Sequence, residues 1–394
     1  MSRLKRLVRH AYLFLCSGDR HWEPVALLTR PLVLGWKKIG RLELKADIYY
    51  PPAGEELEEG GVKKRPVGPS PYLLLPWCAS NIFISPALLL HGGGHIVFTR
   101  RDIHMKHIKM LHKRGFLPVS FDYRLCPETT LVEGPITDSV DALRWVRHSL
   151  PSLRRHGGRG VRIDSNKVAA VGWSSGGHLA MTLGYAAQAR GIQPPDVIIA
   201  FYCPTNLEAD WWKHPILPRC IQESPETDYD LLEGVQAEPI SGYQPGTSAT
   251  APGLAMTLKD PRWRLVIHMN WKAQLVPMLV NGLPSKSKAE PSIDWKARPM
   301  PSVEEIRAAS PYSQIVRGNY HTPTFIAHGR NDDLIPWEQS QETLDALRAQ
   351  GVDAELVVPD AGHAFDLFPA EDPRRTGWAA VESAYEFLCR HVFV

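Results

Sequence analysis

A chain of 394 residues that is 44% hydrophobic can bury a large core, and α/β folds of this length often form one domain carrying an insertion. Its 45 Lys+Arg against 42 Asp+Glu leave a net charge of +3, too balanced for the basic footprint of a nucleic-acid binder, so a small, non-polyanionic substrate is expected. Six scattered cysteines (Cys16, Cys78, Cys126, Cys203, Cys220, Cys389) lack the close pairs of zinc or redox motifs and fit a reducing compartment, here the cytoplasm.

Arg3, Lys5, Arg6 and Arg9 precede a short apolar run, Ala11 to Cys16, which is too short to span a bilayer and is followed by no convincing cleavage site. Residues 1–40 are therefore expected as a helical segment packed on the core, with a membrane-surface anchor the lesser alternative, and no transmembrane segment is expected. Leu42 to Tyr50 alternates like an early edge strand. Pro71 to Ser85 is apolar and turn-rich without periodicity; it has room for a second strand, and its pattern is that of translated intron. Ala87 to Leu90, Leu117 to Phe121, Val168 to Val171 and Val197 to Phe201 are short apolar runs of the kind that form buried parallel strands. Between them, Ile136, Val140, Leu143, Val146 and Leu150 mark a helix, and another starts at Leu179, Met181 and Leu183. The late part repeats the scheme: strand Thr324 to Ala327, helix Trp337 to Gln350, strand Ala354 to Val358, and a last helix carrying Trp378, Val381, Tyr385 and Leu388.

This alternation predicts a doubly wound α/β fold with a mostly parallel sheet. Residues 205–322 interrupt it, rich in Pro and Trp (Trp211, Trp212, Trp263, Trp271, Trp295) and weakly periodic. A structureless loop of that length does not suit a compact domain, so 205–322 is expected as an inserted cap or lid, with the core over 41–204 and 323–394.

Four motifs carry chemistry. Gly172-Trp173-Ser174-Ser175-Gly176-Gly177 follows one strand and opens a helix, the context of a sharp turn that exposes a serine Oγ between small neighbours. Ser174 is the candidate nucleophile, with Ser175 the lesser alternative. His91-Gly92-Gly93-Gly94-His95 follows another strand; its glycines let N–H groups converge on an oxyanion, which would be held by Gly93, Gly94 and Ser175. Read alone it is a tight turn, and His91 and His95 lack the further ligands a metal would need. His328-Gly329-Arg330-Asn331-Asp332-Asp333-Leu334-Ile335-Pro336 puts an acid at a strand's carboxyl end, either Asp332 or Asp333, and Gly362-His363 follows the next strand with a base. The order Ser, Asp, His makes a triad of what would singly be loop residues.

Together with Asp122-Tyr123-Arg124-Leu125-Cys126-Pro127-Glu128, these motifs resemble the hormone-sensitive-lipase-like branch of the α/β hydrolases, over roughly residues 41–205 and 322–393. The resemblance implies the α/β-hydrolase fold, selects Asp332 over Asp333, and makes Asp122 to Glu128 a support beneath the oxyanion loop. The runs His91 to His95, Tyr123 to Leu131 and Gly172 to Met181 are further similar to fungal esterases and to C-terminal thioesterase domains of polyketide synthases. That similarity implies cleavage or transfer of an acyl group, as ester or thioester, in secondary metabolism. The substrate would be a small acyl compound, a polyketide or carrier-bound thioester, handled with no metal or organic cofactor. His95, where the wider branch carries an apolar or aromatic residue, and the cap depart from the pattern. A general small-ester carboxylesterase, a cyclisation or condensation catalyst using the same pocket, and a non-enzymatic binding module are the rival readings.

Overall fold

The computed structural model describes residues 31–50, 83–153, 162–216, 234–236, 238–244, 260–283, 299–367 and 377–393. Among the described residues nine strands form one sheet: β1 (Leu32–Ile39), β2 (Leu42–Ile48), β3 (Phe83–Leu90), β4 (Phe116–Phe121), β5 (Arg162–Ile163), β6 (Ala169–Trp173), β7 (Val197–Phe201), β8 (Thr324–Ala327) and β9 (Ala354–Val357). The order is β1-β2-β4-β3-β6-β7-β8-β9, with β5 pairing β3. The β1–β2 and β2–β4 pairings are antiparallel and the others parallel. The chain thus has the doubly wound, mostly parallel sheet of the α/β-hydrolase fold.

The central strands are continuous apolar runs because each side chain is buried on one face or the other. Leu88 and Leu90 face one apolar layer and Ala87 and Leu89 the second; Ile198 and Ala200 oppose Val197, Ile199 and Phe201 in the same way. Each fully buried Leu, Ile or Phe contributes about 1.5–3 kcal/mol relative to exposure. The first layer is covered by α2 (Thr137–His148) and α3 (Ser175–Ala186), the second by α1 (Met105–Lys113) and α9 (Gly377–Val392). On α9 the spacing of Trp378, Val381, Ala384, Tyr385, Leu388 and Val392 makes one buried stripe. The helix α8 (Glu338–Ala349) joins β8 to β9.

Between β7 and β8 the described residues include the helices α4 (Pro261–Trp271), α5 (Leu275–Asn281), α6 (Val303–Ala309) and α7 (Pro311–Val316). Leu265, Met269, Leu279 and Ile306 from these helices belong to the same apolar layer as Leu90, Ala170 and Leu179.

Three expectations need correction. Residues 1–30 lie outside the described residues, but Leu32–Ile39, placed in a helical segment over 1–40, is strand β1, turned back on β2 at Gly40 (φ 58°). Leu42–Ile48 is consequently not the edge, because β1 covers it. Residues 71–82 of the Pro71–Ser85 run are likewise outside the described residues, yet Phe83, Ile84 and Ser85 begin β3, paired with Arg162, Ile163 and Phe116, so they belong to the fold.

Candidate active site

Ser174 sits between β6 and α3 with φ 53° and ψ −124°, a conformation that costs a non-glycine residue about 1–3 kcal/mol and persists only where neighbours dictate it. Its N–H donates to the Phe201 carbonyl (2.9 Å), and its carbonyl accepts from Gly177 (2.9 Å) and His178 (3.2 Å). The flanking glycines are required by space. A Cβ on Gly172 would lie 2.0 Å from the Gly176 carbonyl oxygen, and one on Gly176 would lie 2.0 Å from that of Leu90. Six non-glycine residues have positive φ among the described residues, and five (His95, Phe98, Ser174, Tyr202, Ala364) lie in the segments that build this site.

The loop after β8 carries Asp332 and the loop after β9 carries His363. Ser174 Oγ is 3.1 Å from His363 Nε2, and His363 Nδ1 is 2.7 Å from Asp332 Oδ2. The aspartate side chain is fully buried, whereas the imidazole keeps 16% exposure. Asp332 Oδ1 accepts from the N–H groups of Leu334 (2.9 Å) and Ile335 (3.0 Å), which fixes the carboxylate plane. Asp333, the alternative acid, acts on His363 through its charge.

A second imidazole, which the sequence reading passed over, also holds the acid. His328 Nε2 is 3.1 Å from Asp332 Oδ2 and 3.0 Å from the Ile335 carbonyl, while Ser340 Oγ is 2.7 Å from its Nδ1. The partner atoms assign an Nε2–H tautomer with Nδ1 accepting from the serine hydroxyl. Burial opposes ionisation of Asp332, but the adjacent His363 and the hydrogen bonds from His328 and His363 overcome it and hold the carboxyl well below the usual range. Burial likewise disfavours the His363 imidazolium; the charge and hydrogen bond of Asp332, with the charges of Asp333 and Asp366, outweigh this and raise its pKa above 6.5.

The glycine loop lies against the turn that carries Ser174. A Cβ on Gly92 would sit 3.0 Å from the Trp173 carbonyl oxygen and 3.3 Å from Ser174 Cβ. Gly93 and Gly94 adopt φ 101° and 63°, and the Gly93 carbonyl accepts from Ile96 (3.0 Å) and Val97 (3.1 Å), closing the loop on itself. Ser175, the first residue of α3, places its N–H at the helix N-terminus, where developing negative charge is favoured.

Buried supports hold the loop's far side. Arg100 donates from Nε to Asp47 (2.6 Å) and from Nη1 to Asp122 (2.7 Å), and Ser120 Oγ donates to its carbonyl (2.8 Å). His91 stacks on Tyr123 (4.2 Å between centroids), whose hydroxyl donates to the His91 carbonyl (2.9 Å). His95 packs edge-on against His178 instead, and burial depresses the pKa of both His91 and His178 to about 4, so these rings stay neutral. No group of three or more His, Cys, Asp or Glu able to hold a metal occurs among the described residues. From α4, Arg262 ion-pairs with Glu128 and donates to the carbonyls of Ile96 (3.1 Å) and Cys126 (3.2 Å), tying that helix to the glycine loop and its support. Neither this clasp nor the role of His328 has a sequence signal, since each pairs residues by fold rather than by motif.

A serine exposed on such a turn at the carboxyl edge of a mostly parallel sheet, with acid and base arriving in that order, is the arrangement of α/β hydrolases, and the chain is one of them. Residues 87–223 match the family described by the α/β-hydrolase fold, and residues 286–393 match the prolyl oligopeptidase family. Its motifs are those of the hormone-sensitive-lipase-like branch.

Among curated proteins it is similar to a methylphloroacetophenone synthase of Cladonia uncialis, 46% identical over 91% of this chain and 13% of that protein. A 5-methylorsellinic acid synthase of Aspergillus terreus is 48% identical over 89% of this chain and 13% of that one, and the non-reducing polyketide synthase Preu3 of Preussia isomera is 46% identical over 86% and 13%. The chain spans about one-eighth of the length of these relatives. Among solved structures, the propionate-bound esterase Est2 of Thermogutta terrifontis shares the fold with TM-score 0.52 at 20% identity, covering 92% of this chain and 95% of that one. The same esterase phosphonylated by sarin gives TM-score 0.51 at 18% identity, over 92% and 96%.

Proposed function

We propose that the chain cleaves or transfers an acyl group through a covalent intermediate on Ser174. Ser174 attacks an ester or thioester carbonyl while His363 takes its proton, and Asp332 holds the imidazole in the accepting tautomer and balances the imidazolium. The N–H groups of Gly93, Gly94 and Ser175 receive the oxyanion. His363 then returns the proton to the leaving group and activates water or another nucleophile, which releases the acyl group. The continuous hydrogen-bond path from Ser174 through His363 to Asp332, at 3.1 and 2.7 Å, carries this reading.

The acyl group is proposed to be a polyketide, free or carrier-bound, which the names of the relatives support. Residues 205–322 would form the cap over a core of 41–204 and 323–394. Val266, on α4, supports a cap wall at the site, since its methyls lie 3.8 Å from where a Cβ on Gly94 would be. The setting is read as cytoplasmic, in keeping with the free, buried thiols of Cys126, Cys203 and Cys389; among the described residues no helix is long and apolar enough to cross a membrane.

A fluorophosphonate probe is expected to label purified protein at Ser174 and to fail on Ser174→Ala. Polyketide thioesters of N-acetylcysteamine should then be turned over faster than short acyl esters. Product formation that survives Ser174→Ala would refute the acyl-enzyme, and a preference for the short esters would point to a general carboxylesterase.

A further inference from the structure

The apolar layer on the α1 and α9 side of the sheet contains a compact polar cluster. Asp366, three residues beyond His363, is fully buried there. Its Oδ2 is 2.6 Å from His107 Nε2, and its Oδ1 accepts from the Tyr202 hydroxyl at 2.6 Å. His107 Nδ1 is 2.8 Å from the Tyr385 hydroxyl, and the indole Nε1 of Trp173 is 3.3 Å from Nε2. A buried carboxylate–imidazole pair contributes little net stability, because desolvation offsets the mutual attraction and apolar residues of equal volume would serve the core as well.

The attachments of this cluster lead to the site. Trp173 immediately precedes Ser174, Asp366 shares a turn with His363, and the Tyr202 ring meets the His363 imidazole edge-on, 4.8 Å between centroids at 64°. Tyr202 itself holds a strained φ of 38°, fixed by its N–H donating to the Ala327 carbonyl at 2.7 Å. Such strain persists where the surroundings over-determine a conformation, and here it aims the ring at the base.

We propose that Tyr202, anchored by Asp366 and His107, is a positioning residue that fixes the imidazole of His363 in the plane it needs throughout the reaction. The proposal rests on His363 being the base of the acyl-transfer reading. Hydrogen bonds to Asp332 and Ser174 hold both ring nitrogens in the free enzyme. Once Ser174 Oγ is acylated it no longer donates to Nε2, and the ring is tethered at Nδ1 alone just when it must orient the incoming nucleophile. The Tyr202 wall then restrains it, so its loss should slow deacylation more than acylation. Asp366 adds its negative charge behind the same ring. The groups facing His363 are Asp332, Ser174 and Tyr202, with Asp333 acting by charge; those facing Asp366 are His107 and Tyr202, with Tyr385 and His104 felt through charge beyond them.

The test uses the full chain with p-nitrophenyl butyrate in stopped flow, where the burst reads acylation and the steady state reads deacylation. Tyr202→Leu, which removes the wall, should slow deacylation roughly 10- to 100-fold and acylation much less. Tyr202→Phe, which keeps the ring and loses the anchor, should fall between Tyr202→Leu and the parent. Equal slowing of both steps, or no slowing, in folded Tyr202→Leu overturns the positioning role.

Asp366→Asn should lower the His363 pKa, followed by NMR of the protein labelled with carbon-13 histidine, and an unchanged titration refutes the role of Asp366. If Asp366→Asn fails to fold, Tyr202→Phe decides the anchor by whether its deacylation differs from the parent. The titration needs no turnover, so a parent chain that leaves the ester intact counts against the acyl-transfer reading while the NMR experiment still tests the charge behind His363.

Discussion

His363 is pulled in two directions, and the winner sets the pH dependence. Burial disfavours its charged form, but the Asp332 carboxylate at 2.7 Å wins, so the pKa lies above 6.5. On the proposed mechanism the neutral ring is the base, so kcat/KM for an ester should be low at acid pH and rise through a midpoint above 6.5. Asp332→Asn should move that midpoint to lower pH and, by losing the correct tautomer, reduce kcat by about 10⁴-fold. A pH–rate profile of both proteins checks this, and a midpoint that stays in place would show that Asp332 does not govern the base. The proposed triad was legible because motif and order constrain it: Ser174 lies between obligatory glycines, and Asp332 and His363 each follow a strand. His328, Tyr202 and Asp366 were not, because their contacts to Asp332 and His363 arise from folded loops and carry no fixed spacing.

At the level of elements, α4 is the informative one. Arg262 is fully buried and reaches Glu128 and the carbonyls of Ile96 and Cys126, so the helix and the glycine loop are one mechanical unit. Arg262→Met leaves the partly buried Glu128 without its partner and should cost up to about 3 kcal/mol in urea unfolding. Adding Glu128→Leu should recover much of that loss, since the stranded charge rather than the missing contact dominates it. A double variant no more stable than the single one would contradict this. Val266 on the same helix stands near Gly94, and Val266→Phe should shift the preference towards shorter acyl chains, measured as kcat/KM across a series of esters. The strands and large helices of the core were legible from runs such as Val197–Phe201, where apolarity on both faces leaves one solution. Helix α1 was hidden by its sequence, MKHIKMLHK, in which buried His107 and His112 occupy positions that read as polar. Strand β1 was hidden likewise, since Gly35, Lys37 and Lys38 break its alternation.

Over the whole molecule, the question is whether the insertion behaves as a separate lid. The sequence marked it by its loss of periodicity and its Trp content, which locate a boundary but say nothing of coupling. In the fold, Leu265 and Met269 of α4 and Leu279 of α5 join the apolar layer that contains Leu90, Ala170 and Leu179, so separating these helices from the sheet would expose the first layer of the core. Local opening is cheap only where few apolar contacts hold a segment. The amides in the middle of α4 should therefore exchange with hydrogen isotope only through the same opening that exposes α3, with the two helices showing one free energy and one denaturant dependence. Native-state hydrogen exchange in low urea reads both. If α4 opened at markedly lower free energy than α3, the insertion would be an independent lid, and substrate entry would be controlled by its opening. If the two open together, the segment moves with the sheet rather than as a lid, and Arg262→Met should then lower the opening free energy of both helices alike.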